Sequence, residues 1–400
     1  MTAQALSGIR VLDVTHHIAG PYATKLLADF GAEVIKVERT GQGDPARRMG
    51  PFFKDDPHPE KSGLFLNLNT SKKGVTLNLK SKAGVGLFLE LAKQCHAVVE
   101  SFRPGVMERL GLGWDALEKV NPRLVFTRLS SFGQTGPYRG FKSTELVSLA
   151  MGSPMYRMGE PDREPVKFAG NSGQYLAGCY AAAATLGALY GARLRGKGGT
   201  VDVSMMESFI NWAGRYMVMY IYSREVPGRL GYRREGMYPH GYFPTSDGYA
   251  GISASYLRHW PRVVRLLNMP ELLEDPRFKT PAARMQHHDD FDAIWYPWLM
   301  DRTKQEIFHA CQEHHCPAGP VYNTADLVQD PHYKIRGFFT DIEHPMTGVV
   351  TYPGAPFKMA RTPWRTGRAP LLGEHNQEVY EGLLGHSGDD LAKLKERGVI

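Results

Sequence analysis

Short apolar runs alternate with longer segments of helical periodicity along the first third of the chain. The run IRVLDVT at residues 9–15 has the composition of a strand, and AEVIKVE at residues 32–38 has the same character. Between them, GPYATKLLADFG at residues 20–31 places its apolar positions at helical spacing and ends on a glycine, which is typical of a helix C-terminus. A strand, a helix and a strand in this order predict a βαβ unit with two parallel strands.

The same alternation continues, and it predicts three further strands and two further helices. The strands are expected at residues 74–79, 97–101 and 123–130, and the helices at residues 81–95 and 105–111. We therefore predict an α/β fold whose large domain is an open, Rossmann-like parallel sheet with helices on its faces. Ligands of such sheets bind at the carboxyl ends of the strands, so candidate binding residues should follow the predicted strands.

Glycine and proline residues cluster between residues 223 and 251, and this change in composition predicts a domain boundary. We predict a large α/β domain over residues 1–222 and a small α+β domain over residues 223–325. The small domain should contain a hairpin around TSDGY and helices through WPRVVRLLNM and TKQEIFHACQEH. The remaining segment, residues 326–400, consists of strand-like pieces and ends in a charged helix, GDDLAKLKERG.

The composition is that of an ordinary globular protein, and it narrows the class of ligand. Of the 400 residues, 42% are hydrophobic and 22% are charged, with a formal net charge of +7. The lysines and arginines form no block of five or six, so the positive charge suits an anionic small molecule better than nucleic acid. Four cysteines in so long a chain do not form a disulfide framework. Because no apolar run reaches ~18 residues and the first residues lack a signal pattern, we expect a cytoplasmic protein without a membrane span.

Motifs of other common ligand sites are missing or incomplete. The stretch GQGDP does not follow the glycine spacing of a dinucleotide-binding turn, and the sequence contains no phosphate-binding P-loop motif. The stretch EHHC at residues 313–316 has the residue types of a metal site but lacks further ligands at a suitable spacing. The stretch HHDD at residues 287–290 is interpreted as the solvated start of a helix. We therefore predict no metal site.

Cationic side chains stand near the ends of the predicted strands, in turns that are rich in glycine and polar residues. These residues are Arg39, Arg47, Lys72, Lys73, Arg103 and Lys142. Cations that converge at strand ends suit a ligand that carries phosphate groups. His17 follows the first strand beside a glycine turn and is placed to line the same pocket.

Five longer stretches, taken in order, resemble the class III CoA-transferase family (CaiB/BaiF type) over nearly the whole chain. They are HIAGPYATKLLADFGAEVIKVERTGQGDPARRMGPF, ESFRPGVMERLGLGWDAL, NPRLVFTRLSSFGQTGPY, GKGGTVDVSMMES and DGYAGIS. The resemblance implies an open α/β large domain that binds CoA, a small domain, and a C-terminal segment, residues 326–400, that returns to the large domain. It also implies a dimer in which two chains interlock like rings.

The resemblance also implies the ligand, which is coenzyme A or an acyl-CoA as substrate, with no metal. By position, the residues that would hold the nucleotide and its phosphates are Arg39, Lys72, Lys73, Arg103 and Lys142. His17 and Ala19 would lie along the path of the pantetheine.

The stretch AGNSGQYLAG at residues 169–178 departs from the family pattern. Where the transferases carry an aspartate, the resemblance places Asn171. That aspartate attacks the acyl-CoA thioester, forms an enzyme anhydride and then an enzyme–CoA thioester, and returns CoA to a second acid. The amide of Asn171 has no anionic oxygen and cannot do this, so Asn171 is expected to cap the helix that begins near Gly173. Glu145, in the stretch KSTE, matches a glutamate in the site of a family member.

Three functions are compatible with this departure. In the first, the chain is the non-catalytic subunit of a heteromeric transferase, and a homologous subunit carries the aspartate; an identical partner is the other possibility. In the second, Glu145 is a substitute nucleophile in an active transferase. In the third, the chain is a CoA-thioester lyase or isomerase, with His17 and Glu145 as acid and base, or a binding protein without turnover. The resemblance suggests succinyl-CoA as donor and an aromatic, benzylsuccinate-like acid as acceptor, without nucleic acid or membrane partners.

Overall fold

Six parallel strands form one sheet in the computed structural model, which describes residues 3–229, 231, 237–254 and 256–400. The strands are β1 (Arg10–Val14), β2 (Glu33–Glu38), β3 (Lys73–Thr76), β4 (Ala97–Glu100), β5 (Val125–Ser130) and β6 (Gly199–Ser204). Their order across the sheet is β3-β2-β1-β4-β5-β6, and each pair of neighbours is parallel. This is the strand order of a Rossmann-like sheet, and it confirms the predicted α/β fold. The order reverses between β1 and β4, which is where ligands of such sheets bind.

Helices connect and cover the strands. In chain order the α-helices of the described ranges are α1 (Ala19–Asp29), α2 (Gly63–Leu68), α3 (Lys82–Gln94), α4 (Val106–Arg109), α5 (Trp114–Val120), α6 (Glu145–Met151), α7 (Ser172–Arg195), α8 (Met205–Trp212), α9 (Gly214–Ser223), α10 (Trp260–Leu267), α11 (Pro281–Gln286), α12 (His288–Met300), α13 (Lys304–Glu313), α14 (Thr324–Gln329), α15 (Pro331–Ile335) and α16 (Gly388–Glu396). A π-helical segment lies at Glu378–Leu383. None of these helices is both long enough and apolar enough to cross a lipid bilayer.

Both faces of the parallel sheet are buried, which explains why its strands read as continuous apolar runs. Successive strand residues point to opposite faces, so Val11 packs into one hydrophobic core and Leu12 into the other. Helices α1 and α7 cover the face of Val11, where small residues of α7 such as Ala177 and Ala181 are buried. Helices α3 and α5 cover the face of Leu12.

The C-terminal part of the chain packs on the same face as α3 and α5. Val379, Tyr380 and Ile400 belong to that core, and the hydroxyl of Tyr380 donates a hydrogen bond to the carbonyl of Thr76 at the end of β3 (2.9 Å). The strands β10 (Phe339–His344) and β11 (Gly348–Pro353) precede this segment as an antiparallel hairpin. The C-terminal segment therefore contributes to the support of the sheet.

The chain divides into two compact units whose limits differ in part from those expected. The first comprises Met1–Pro154, Phe168–Ile221 and Ile335–Ile400, and the second comprises Met155–Lys167 and Tyr222–Lys334. The second unit includes residues 155–167, which the sequence placed in the large domain. The reason is hydrogen bonding to distant residues of the same unit: the N–H of Gly231 donates to the carbonyl of Gly159 (3.2 Å), and Arg229 Nε donates to the carbonyl of Glu160 (3.0 Å).

The second unit is built on an antiparallel sheet and an aromatic core. Its described strands are β7 (His240–Thr245), β8 (Gly248–Ser253) and β9 (Ala318–Pro320), in the order β7-β8-β9. Strands β7 and β8 form the hairpin that was predicted around TSDGY. The core contains the stacked rings of Phe291 and Trp295, whose centroids are 5.7 Å apart.

Candidate active site

A cleft of about 660 Å³ opens at the carboxyl ends of the first strands of the sheet. Among the residues that line it, Val14 ends β1, His16 follows β1, Arg39 follows β2, and Phe102 follows β4. The cleft therefore lies at the point where the strand order reverses, as expected for a ligand site of this fold. Its volume lies within the range of ligand pockets in proteins, which is about 300–1,000 Å³.

Two exposed cations line this cleft, and the sequence analysis identified one of them. Arg39 lies on the rim, where its guanidinium donates to Gln42 Oε1 (2.9 Å). Lys80 lines the cleft as well, and it was missed. The signal was available, because Lys80 directly follows the strand predicted at residues 74–79, and the same reasoning selected Arg39 after its strand.

Lys72 was expected to hold a phosphate, but the structure buries it. Its ammonium lies within hydrogen-bond distance of four oxygens: Asp13 Oδ2 (3.0 Å), the Pro21 carbonyl (2.9 Å), Thr24 Oγ1 (2.8 Å) and Asn69 Oδ1 (2.9 Å). An ammonium has three protons, so this environment uses all of them. Burial alone would raise the pKa of Asp13, but the ammonium of Lys72 holds it well below its usual range. Lys72 is therefore engaged in the interior of the protein, and it is not among the residues that line the cleft.

Lys73 and Arg47 also act within the protein rather than at a phosphate. Lys73 is the first residue of β3, so it lies at the amino edge of the sheet, where it pairs with Glu33 (2.7 Å) and Glu378 (2.8 Å). The cleft lies at the opposite edge, and this corrects the expectation for Lys73. The buried guanidinium of Arg47 pairs with Glu38 (2.7 Å).

A buried ion pair holds the turn that follows β1. Lys36 Nζ lies 2.9 Å from Asp44 Oδ2 and donates to the carbonyl of Thr15 (3.0 Å). Asp44 Oδ1 in turn accepts hydrogen bonds from the N–H groups of His17 (3.1 Å) and Ala46 (2.9 Å). Burial alone would raise the pKa of Asp44, but the nearby ammonium of Lys36 lowers it. The pair therefore fixes His17 at a backbone φ of 65°, in the left-handed region that non-glycine residues rarely adopt.

The two histidines of this turn differ in their surroundings. His17 is exposed, whereas His16 is partly buried, lines the cleft and packs against Phe102 with ring centroids 5.1 Å apart. Burial and the charge of Lys36 lower the pKa of His16 to about 4, so its imidazole is neutral near pH 7. Ala19 is buried at the start of α1 and offers little surface to a ligand. His16 is thus a cleft residue that the sequence analysis passed over in favour of its neighbour.

Glu100 anchors the loop that carries Phe102 and Arg103. This residue ends β4, and its carboxylate accepts from the N–H of Phe102 (2.6 Å) and from Arg128 Nε (3.1 Å). Burial raises the pKa of Glu100 to about 7. Arg103 and Lys142 are both exposed, Arg103 in the loop after β4 and Lys142 in the segment between β5 and α6.

Two residues at the start of helix α7, Asn171 and Gln174, have amide side chains. Asn171 occupies the N-cap position, but its side chain caps no backbone N–H, contrary to the expected role. Instead its Oδ1 accepts a long hydrogen bond from Gln174 Nε2 (3.4 Å). The sequence from residue 169 to residue 178 contains no aspartate or glutamate. This helix start therefore supplies no carboxylate of its own.

Glu145 supplies the missing cap from another helix. As the first residue of α6, it accepts hydrogen bonds from the backbone N–H groups of Gly173 (2.8 Å) and Gln174 (3.2 Å). An anion at this position is favourable, because the first N–H groups of a helix have no partner within the helix and carry partial positive charge. The structure therefore brings Glu145 to the start of α7, next to Asn171, although 26 residues separate them in the chain.

The described residues include one group with the chemistry of metal ligands, in the second unit. His288, Asp289 and Asp292 each offer one ligand atom, and these atoms lie within 4.8 Å of one another. The side chains are already engaged: His288 Nδ1 lies 2.7 Å from Asp289, and Asp292 accepts a hydrogen bond from Tyr238. Two of these residues, His288 and Asp289, belong to the stretch HHDD that was interpreted as a helix start, and α12 does begin there.

Comparisons with known proteins agree on one family. The family model described as CoA-transferase family III matches residues 6–376. Succinyl-CoA--D-citramalate CoA-transferase of Chloroflexus aurantiacus is 34% identical, over 99% of this chain and 98% of its own length. The alpha and beta subunits of succinyl-CoA--L-malate CoA-transferase from the same species are each 33% identical, over 99% and 100% of this chain and 92% and 99% of their own lengths.

The fold comparison gives the same result. The crystal structure of a CaiB/BaiF family protein from Brucella suis matches with a TM-score of 0.86 and 27% identity, over 96% of this chain and all of that one. Because the family model covers most of the chain and the relatives are alike over their full lengths, the chain belongs to CoA-transferase family III.

Proposed function

We propose that this chain is the supporting subunit of a heteromeric CoA-transferase, paired with a homologous subunit that carries the nucleophilic aspartate. Members of this family transfer CoA between an acyl-CoA and a carboxylic acid, and their substrates are CoA thioesters. The observation that carries the proposal is the start of α7, where Asn171 and Gln174 present amides and the surrounding sequence contains no acid. An amide cannot form the mixed anhydride that transfer requires, because its nitrogen lone pair is delocalised and its oxygen carries no charge.

The strand-end cleft is the proposed site of the CoA nucleotide. Arg39 and Lys80 line it, and the exposed Arg103 and Lys142 follow the neighbouring strands. Phosphate groups favour charge-assisted hydrogen bonds with such side chains. The pantetheine would then pass the turn that carries His16 and His17 toward the start of α7.

Removing one cleft cation should weaken the binding of acyl-CoA. We expect Arg39→Ala and Lys80→Ala each to raise the Kd of the purified chain for acyl-CoA about tenfold, because each loses a charge-assisted contact. Lys73→Ala is the matched control, since it removes the same charge from the opposite edge of the sheet. Calorimetric titration of the purified chain with acyl-CoA checks this. An equal rise in Kd for Lys73→Ala would show that the effect is one of overall charge.

We also propose that this chain forms an interlocked, ring-like dimer with a related chain. No residue of α9 is buried in the single chain, and Val218 and Ile221 are 53% and 54% exposed. Apolar residues that cluster on a surface mark sites of association. The alpha and beta subunits of the Chloroflexus enzyme, to which this chain is equally similar, support a pair of homologous chains over an identical pair.

Mass spectrometry and transfer kinetics test the subunit role. Given succinyl-CoA and an aromatic, benzylsuccinate-like acid, the purified chain alone is expected to show neither transfer nor a covalent CoA adduct. With the homologous subunit that co-purifies from its native host, both should appear, and the adduct should be on the homologue. The variants Asn171→Asp and Gln174→Asp return a carboxylate to the start of α7, and one of them is expected to give an adduct on this chain. Transfer by the unaltered chain alone would contradict the proposal.

Glu145 as a substitute nucleophile is the second candidate function. The observation in its favour is that its carboxylate lies at the same helix start, bonded to the N–H groups of Gly173 and Gln174. In this case the unaltered chain alone would transfer CoA and carry the adduct, and Glu145→Gln would abolish both. The expected cytoplasmic location stays a prediction in either case.

A further inference from the structure

A second cavity, of about 210 Å³, lies beside the start of helix α7, and we call it the α7 pocket. The residues that line it are Phe168, Ser172, Gly173, Leu176, Phe209 and Trp212. All of them lie in the first compact unit. The pocket is separate from the strand-end cleft, with which it shares no lining residue.

Three of the six residues that line the α7 pocket are aromatic. The rings of Phe168 and Trp212 meet edge to face with centroids 5.1 Å apart. Phe209 is 2% exposed, and its ring lies so close to α7 that a Cβ added to Gly173 would be 1.6 Å from its Cζ. The absence of a side chain at Gly173 therefore lets the ring form the floor of the pocket.

The size and chemistry of the α7 pocket select an uncharged, apolar group. An apolar protein cavity of about 150 Å³ accommodates benzene, so a pocket of about 210 Å³ accommodates a phenyl group and its linking carbon. Among its described lining residues none is charged, and the polar side-chain groups are the hydroxyl of Ser172 and the indole N–H of Trp212. A second carboxylate placed here would lose its hydration without gaining a cationic partner.

The position of the α7 pocket relates it to the acid that exchanges CoA. Ser172 and Gly173 line the pocket and also form the first turn of α7. The N–H of Gly173 donates to Glu145, and Asn171 precedes this turn directly. An acid whose apolar end occupies the pocket would therefore have its carboxyl group at the helix start, where the family's nucleophile is replaced.

We infer that the α7 pocket binds the acyl portion of the acceptor acid, and that the part of this acid that enters the pocket is an aromatic group without a carboxylate. The inference rests on the proposed function, because it takes the start of α7 to be the acid-binding position of the family's site, which this chain keeps although the homologous subunit carries the nucleophile. The inferred acid also differs from those of the relatives named above, whose names specify citramalate and malate. Those acids carry a second carboxylate, and no described residue that lines this pocket has a positive charge to pair with it.

Calorimetric titration tests the inference without requiring turnover. The probes are 3-phenylpropanoate and succinate, each titrated into the full chain, and into its complex with any co-purifying homologue, in the presence of CoA. We expect 3-phenylpropanoate to bind at least about tenfold more tightly than succinate, since burial of the ring supplies the difference. Leu176→Phe fills the pocket and should weaken the binding of 3-phenylpropanoate about tenfold or more.

Leu186→Phe is the matched control, because it makes the same substitution on the same helix at a partly exposed residue outside the pocket. It should leave both affinities unchanged. Equal or tighter binding of succinate would overturn the inference, and so would unchanged binding of 3-phenylpropanoate by Leu176→Phe. Binding that is present in the isolated chain but lost in the complex would show that the partner fills the pocket, and this result would also overturn the inference. Transfer of CoA by this chain without the homologous subunit would refute the subunit role. The acid preference would still be measurable in that case, because these readouts are affinities.

Discussion

Replacing Lys72 by alanine is expected to lower the free energy of unfolding by about 3–5 kcal/mol, since breaking a buried ion pair from one side leaves the other charge without a partner. The side chains of Lys72 and Asp13 are both fully buried, and their charged atoms are 3.0 Å apart. In the variant the carboxylate of Asp13 would retain the hydroxyls of Thr15 and Thr24 and the nearby charge of Lys36, but it would lose the ammonium that bonds to it. The carbonyl of Pro21 would also lose a donor.

Urea unfolding, followed by the fluorescence of the tryptophans, measures this loss. Lys73→Ala is the control, because the two lysines are adjacent in the chain and differ chiefly in burial. The ion pair of Lys73 with Glu33 has side chains that are 31% and 32% exposed, and such pairs contribute about 1 kcal/mol or less. If the two variants lost the same stability, the buried role assigned to Lys72 would be wrong.

The same substitution at two glycines of α7 is expected to change stability in opposite directions. At Gly173 a Cβ would overlap the ring of Phe209, so Gly173→Ala should lower the free energy of unfolding by about 1–3 kcal/mol. At Gly187 no atom lies within 4 Å of the added Cβ, so Gly187→Ala should raise it by about 0.5–1 kcal/mol through helix propensity alone.

Thermal and urea unfolding of the two variants check the signs. Because both glycines lie in one helix and receive one methyl group, the comparison isolates the contact with Phe209 from the preference of the backbone. Stabilisation by Gly173→Ala would mean that the ring of Phe209 moves away at little cost. The floor of the α7 pocket would then be less well defined than the structure shows.

The sheet could be predicted from the sequence because its signals are local. The strand, helix and strand over residues 9–38 correspond to β1, α1 and β2, since periodicity and the glycine after the helix act within a few residues. The hairpin of β7 and β8 was found for the same reason. The sequence did not reveal that residues 155–167 belong to the second unit, because this grouping depends on hydrogen bonds to residues some seventy positions away.

The site could be predicted only in part, because position beside a strand does not determine where a side chain points. Arg39 and Lys72 are both cations beside a strand, Arg39 after β2 and Lys72 before β3, yet Arg39 lines the cleft and Lys72 is surrounded by four oxygens. Three of these oxygens belong to distant parts of the chain, and the carboxylate of Asp13 is 59 residues away. The capping of α7 by Glu145 was hidden for the same reason, although both Glu145 and Asn171 had been selected.

The capping of α7 by Glu145 has a consequence for how a supporting subunit of the kind we propose could arise. When a side chain at the N-cap position satisfies the first N–H groups itself, its loss lowers stability by about 1 kcal/mol. Here Glu145 performs this task from α6, so the helix does not depend on the side chain at residue 171. Exchange of acid and amide at the start of α7 is then close to neutral for folding. After duplication of an ancestral gene, one copy could lose its nucleophile without selection against an unstable protein, and the pair would persist as an enzyme with a division of labour between its chains.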